Sequence, residues 1–138
     1  NLFRDIPSVV FEMKKLEEFN VSSNQIEHIP HDINSLISLR CFRISDNLLT
    51  HIDDGLFLES PLIELSLARN QISRISSDLG NLTSLLFLDL GFNQIESIPD
   101  NLFCLPECHM LFLNNNKVVF RSLTIDKRDT SFSFTRHY

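Results

Sequence analysis

An α/β solenoid, built from short parallel strands joined by short irregular or helical returns, is the fold class this sequence predicts. Three observations predict it. One pattern, L-x-x-φ-x-φ-x-x-N-x-φ-x-x-I with φ an apolar residue, recurs every 23 residues, with copies beginning at Leu16, Leu39, Leu62, Leu85 and, with a substitution, Cys108. An asparagine column keeps the same register through Asn24, Asn47, Asn70, Asn93 and Asn116, and Asn1 falls in step with it. Inside each copy apolar and polar residues alternate: in LIELSLARN, Leu65 and Leu67 alternate with Glu64, Ser66 and Ala68. A period of two marks a strand whose successive side chains face opposite ways. So short a strand cannot bury its apolar side alone, so successive copies must stack and share one core. Five strands stacked in parallel make a sheet on the order of 20 Å across.

Taken in order, the elements are a partial repeat over 1–15, full repeats over 16–38, 39–61, 62–84 and 85–107, and a truncated repeat from 108. The opening already carries Phe3, Ile6 and Val10 in core register with no polar cap before them, the expectation for a fragment or for a chain capped from upstream. Two residues after the asparagines stand Ile26, Leu49, Ile72, Ile95 and Val118, and five after come Ile29, Ile52, Ile75 and Ile98. Each asparagine is expected to be buried, and a buried amide must find partners among backbone groups that the turn leaves unpaired. The returns alternate: Phe11, Phe57 and Phe103 hold a position that Asn34 and Gly80 fill in the other repeats. The phenylalanines are expected to pack beneath the outer side, and the smaller residues to leave room for the next rung. With only three glycines, turning falls to Asn, Asp, Ser and Pro. Past residue 120 the pattern stops. Residues 121–138 place Ile125, Phe132 and Phe134 around the turn-forming DKRD, and read as a hairpin capping the last rung or as the start of a further domain.

These residues resemble the leucine-rich repeat family over 1–120, with 23-residue repeats of the typical, Ile-Pro kind. The resemblance implies a curved horseshoe with the parallel sheet on its concave face and the short returns on its convex face. It implies that the asparagine column is a structural ladder, and that partners bind on the concave face. The Ile-Pro steps (Ile6-Pro7, Ile29-Pro30, Ile98-Pro99) are similar to those of intracellular scaffold proteins, whose relatives bind Ras-type small GTPases or associate with phosphatases. The phenylalanine-bearing returns are more similar to extracellular members. Those usually carry cysteine-rich flanks, and no such flank follows residue 120, so the reading leans intracellular and leaves the compartment open.

Composition narrows the function. Residues 1–120 carry 8 basic and 16 acidic side chains, net −8, against 4 and 2 in the last 18. An acidic body lacks the clustered Lys and Arg that nucleic acid requires. No apolar run reaches the ~18 residues of a membrane span. Phosphate loops, H-E-x-x-H and G-x-S-x-G are absent, so no catalytic residue, cofactor or metal is expected. Cys104, Cys108 and His109 fall short of a zinc site's two ligand pairs, and Cys108 stands in the core column. Three cysteines are too few for a disulfide framework. His28 and His51 share a repeat position and read as surface histidines duplicated with the repeat. Two sequons, Asn20-Val-Ser22 and Asn81-Leu-Thr83, matter only in a secreted protein.

The outward strand positions are therefore the candidate partner-binding residues: Arg43, Glu64, Arg69, Phe87, Asp89, Phe92, Met110 and Phe112. The N-terminal half of that face is polar and mixed in charge. Its C-terminal half gathers three phenylalanines and a methionine on adjacent rungs, an exposed apolar patch of the kind that marks an interaction site. The expected function is non-catalytic: a protein-interaction module in signalling or scaffolding, its partner a protein. The alternatives are the targeting segment of a larger kinase, phosphatase, cyclase or GTPase, and a fragment of a receptor or adhesion ectodomain. A competing expectation has the tail, with Phe132 and Phe134, covering the patch.

Overall fold

A computed structural model describes residues 2–118 of the 138. The expected cap over 121–138, and with it the covering of the patch by Phe132 and Phe134, lies outside the described residues.

Each repeat contributes one three-residue strand: β1 (Glu18–Asn20), β2 (Cys41–Arg43), β3 (Glu64–Ser66), β4 (Phe87–Asp89) and β5 (Met110–Phe112). All neighbours pair in parallel, in the order β1-β2-β3-β4-β5, and every rung is offset by the repeat length: Phe19 sits beside Phe42, then Leu65, Leu88 and Leu111. These central residues point into the core, where Phe42, Leu65 and Leu88 have no exposed surface. Burying each such side chain is worth roughly 1.5–3 kcal/mol. Cys108, in place of the first leucine, is buried as the column requires.

Four returns form a single 3-10 turn, over Ser8–Glu12, His31–Ser35, Ser77–Asn81 and Asp100–Cys104. Three of them follow directly on a proline, at Pro7, Pro30 and Pro99, whose fixed φ starts the turn without needing a donor. Ser76 opens the other, its hydroxyl accepting from the Asp78 N–H at 3.0 Å. The return after β2 has neither device. It runs through turns in which Gly55, Phe57 and Glu59 hold positive φ.

The alternation of returns has a packing cause. Phe57 is 2% exposed and reaches Phe42, ring centroids 5.9 Å apart, while Phe42 stacks on Phe19 at 5.6 Å. A side chain on the convex return thus touches the back of the sheet. Phe11 is also buried, and Phe103 is half-buried against the core. At Gly80 a Cβ would run into the Asn101 side chain, so the missing side chain makes room for the next rung. Asn34 instead ties rungs together, donating to the Gly55 carbonyl at 2.7 Å and accepting from the Leu58 N–H at 3.2 Å.

The asparagine column is the second support. Asn70 Oδ1 accepts the Leu49 N–H of the preceding rung at 3.0 Å, and its Nδ2 donates to the carbonyls of Ile44 and Leu67. Asn47 and Asn93 repeat this set with Ile26 and Ile72 as donors. Asn24 takes the Phe3 N–H and Asn116 the Ile95 N–H, both less deeply buried. Asn47, Asn70 and Asn93 are 5–8% exposed, so these bonds close away from water.

Candidate functional site

The strand residues on either side of each core side chain make the concave face. Its N-terminal half holds Glu18, Asn20, Cys41, Arg43, Glu64 and Ser66. Arg43 and Glu64, two candidate partner residues, are paired with each other across β2 and β3: Nε reaches Oε1 at 2.6 Å and Nη2 reaches Oε2 at 2.8 Å. Glu18 adds a looser contact at 3.9 Å. The Glu64 hydrogen bond and its charge raise the Arg43 pKa, binding its proton more firmly. Between the same two rungs, Ser45 and Ser66 share a hydrogen bond at 2.8 Å. Arg43, Glu64, Ser45 and Ser66 are thus engaged with one another.

The C-terminal half is different. Phe87 lies beside Met110 and Asp89 beside Phe112 in the β4–β5 register. The Phe87 and Phe112 rings meet diagonally at 5.6 Å, tilted by 49°. Met110 is 48% exposed and Phe92 43%, while Phe87 and Phe112 are half-buried. Arg69 sits over the Phe92 ring, its guanidinium carbon 4.4 Å from the centroid. Six of the eight candidate residues therefore share this half: Phe87, Met110, Phe112 and Asp89 in one group, Phe92 and Arg69 in a second beside it.

Phe92 carries a cost that its sequence position does not announce. Ser23, Asp46, Arg69, Phe92 and Asn115, each directly before a ladder asparagine, all hold φ between 53° and 58°. The turn after every strand needs this left-handed residue, which is strained for a bulky side chain. Asp and Asn suit it well. Phenylalanine does not, yet it stands here, half open to solvent.

Other candidates resolve into local contacts. His51 Nε2 lies 3.1 Å from Asp53 Oδ1, and its Nδ1 is 2.9 Å from Thr50 Oγ1. This hydroxyl–imidazole–carboxylate string joins residues adjacent in sequence at the surface, where solvent competes for each bond. His28 instead approaches Asp5 at 4.0 Å. Cys41, Cys104 and Cys108 are all free thiols. Burial raises the Cys108 pKa; burial, then Glu64 and Glu18, raise that of Cys41. Among the described residues no group of three or more His, Cys, Asp or Glu side chains is arranged to hold a metal, and no helix is long and apolar enough to cross a membrane.

Sequence reasoning did not foresee that Ala68 and Gly91 are buried. It also missed the Arg43–Glu64 pair and the left-handed column. The charge pair was readable from the 21-residue spacing, which sets Arg43 diagonally across from Glu64; the backbone conformation was not.

Known proteins carry the same architecture. The leucine-rich repeat family matches residues 37–95, and a second form of the repeat matches residues 15–36. No curated protein sequence matches the chain. Among solved structures, a leucine-rich repeat protein of Leptospira interrogans superposes with a TM-score of 0.82 at 27% identity, covering 86% of this chain and 30% of that one. A structure of the Toll–Spätzle complex of Drosophila gives 0.79 at 26% identity, covering 87% and 18%. The leucine-rich repeat ectodomain of the receptor kinase SOBIR1 from Arabidopsis thaliana gives 0.71 at 25% identity, covering 82% and 63%. The chain thus spans less than two thirds of each of these structures.

Proposed function

Since the chain belongs to the leucine-rich repeat family, we propose that it is a non-catalytic binding module that holds a protein partner, in signalling or scaffolding, against the C-terminal half of its concave face. One observation carries this reading. Phe87 and Phe112 in ring contact, with Met110 and Phe92 about half exposed beside them, form an apolar patch on a face whose other half pairs Arg43 with Glu64 and Ser45 with Ser66. Aromatic residues at the centre of a patch are the usual anchors of a protein interface. The strain at Phe92 supports the same reading, because a bulky residue kept at a left-handed position lowers stability without helping the core. The Toll–Spätzle complex offers a precedent among similar structures for such an architecture within a protein assembly.

A second reading makes the chain the targeting segment of a larger signalling protein or part of a receptor ectodomain. Its similarity to the ectodomain of a receptor kinase, and its coverage of only part of each relative, favour that reading. Both readings use the same face and differ in what is attached to it.

The test is capture of partners from the native source by the full chain and by a Phe87→Glu/Phe92→Glu/Phe112→Glu variant, after circular dichroism establishes that both fold alike. A partner retained by the wild type and lost by the variant supports the proposal. Equal retention by both sinks it and moves attention to the convex returns.

A further inference from the structure

Ser23, Asp46, Arg69, Phe92 and Asn115 hold the left-handed place before the ladder asparagines, with φ between 53° and 58°. Asp and Asn adopt that conformation most readily, and serine is small. Arg69 and Phe92 are the two large side chains in the column, and they stand on adjacent rungs. They also meet: the Arg69 guanidinium carbon lies 4.4 Å from the centroid of the Phe92 ring. Both backbones are pinned from the next rung, the Arg69 N–H donating to the Gly91 carbonyl at 3.0 Å and the Phe92 N–H to the Asn114 carbonyl at 2.9 Å. Two residues in a costly conformation thus build one exposed pair, and backbone strain of this kind gathers at ligand clamps.

The pair leaves chemistry unused. Arg43, the other arginine among the outward candidates, has its guanidinium bound to Glu64 through two hydrogen bonds. Arg69 is exposed, and among the described residues its guanidinium makes no hydrogen bond and no ion pair, not even with Asp46 one rung earlier. Contact with a ring gives its five N–H donors no oxygen to bind, so the planar fork stays open for a carboxylate. Phe92 also limits where that fork can swing, which lowers the entropy lost when an acceptor arrives.

We propose that Arg69, held against Phe92, receives an aspartate or glutamate side chain of the protein partner, beside the apolar residues that the partner sets on Phe87, Met110 and Phe112. The inference rests on the reading that a protein docks on this half of the face, and it adds the charge that the partner must carry there. The body as a whole opposes that sign, with 16 acidic and 8 basic side chains in residues 1–120. Range decides between the two effects. Exposed charges more than about 8 Å away are largely screened at physiological salt, whereas a carboxylate in hydrogen-bond contact with Arg69 is not. Cover by the partner lowers the local dielectric and strengthens both the ion pair and the contact with the ring.

The test pans a phage-displayed library of random dodecapeptides against the immobilised full chain at physiological salt, with sequencing before and after selection. Peptides that combine an aromatic or aliphatic residue with Asp or Glu should be enriched about threefold or more over matched peptides carrying Asn or Gln. Arg69→Asn suits the left-handed backbone, so it should keep its circular dichroism and the apolar preference while losing the acidic one. Arg69→Lys keeps the charge without the fork and should also lower the acidic preference, an independent check should the asparagine variant fold poorly. No enrichment of acids, an enrichment that both variants retain, or selection of Lys and Arg in their place overturns the proposal. Apolar peptides selected without acids, and lost on Phe87→Glu/Phe112→Glu, would remove the carboxylate contact and keep the docking face. Acids selected through Arg69, with an apolar preference indifferent to that double variant, would remove the docking face instead.

Discussion

Replacing Asn70 by alanine should cost this solenoid about 2–5 kcal/mol, and the figure follows from counting which groups lose their last partner. Asn70 Oδ1 is the acceptor for the buried Leu49 N–H. The carbonyls served by its Nδ2 are better insured: Ile44 O also accepts from Asn47, and Leu67 O from Asn93. Truncation therefore leaves one buried donor orphaned, at about 1–3 kcal/mol, and removes one of two bonds from each of two carbonyls, at about 0.5–1 kcal/mol apiece. Asn24→Ala removes the same chemistry at the first rung, where the Phe3 N–H is exposed and water can replace the amide, so its cost should stay under about 1 kcal/mol. Urea unfolding of both variants, followed by circular dichroism, gives the comparison directly. Equal losses at the two sites, or a loss under about 1 kcal/mol at Asn70, would refute the view that the ladder stabilises through buried orphaned donors.

Other outcomes follow from the same contacts. Phe92→Asn exchanges a strained left-handed phenylalanine for a residue that tolerates the conformation, a relief of about 1 kcal/mol against about 0.5 kcal/mol for the lost exposed contact with Arg69; thermal unfolding should therefore shift upwards while partner capture weakens. Arg43→Ala should cost less than about 1 kcal/mol and lose that effect in high salt, because the bidentate pair with Glu64 lies at the surface; a salt-independent loss larger than this would place the pair in the core energetics. Iodoacetamide at neutral pH should modify exposed Cys104 first, half-buried Cys41 more slowly and Cys108 last, as read by peptide mass spectrometry. Because burial raises the Cys108 pKa, its thiol stays protonated in the folded chain after the unfolded chain begins to ionise, so that contribution is full below the ordinary value of 9.0 and is lost as pH rises towards the folded value.

Much of the fold was legible because the repeat states it five times. The core columns, the asparagine ladder and the burial of Cys108 all follow from register, and register is what an uninterrupted 23-residue period supplies. The alternation of Phe57 with Gly80 was readable as a size pattern, though the contact of Phe57 with Phe42 requires knowing how far the return lies from the sheet. Side-chain pairing on the face was less accessible. Periodicity says that Arg43, Glu64, Phe87 and Phe112 face one way; it does not say that the first two satisfy each other while the last two remain open. The close packing above Gly91 was hidden for a related reason. A lone glycine reads as a turn signal, and its place beneath the Asp89 and Asn114 side chains appears only when two rungs are set side by side.

The docking claim is tested most directly by hydrogen–deuterium exchange on the full chain, free and bound to the protein it captures. Slowed exchange confined to residues 87–92 and 110–115, with the returns at 31–35 and 77–81 unchanged, is the expected footprint. Protection concentrated on those returns, with the β4 and β5 segments exchanging as in the free chain, would contradict it.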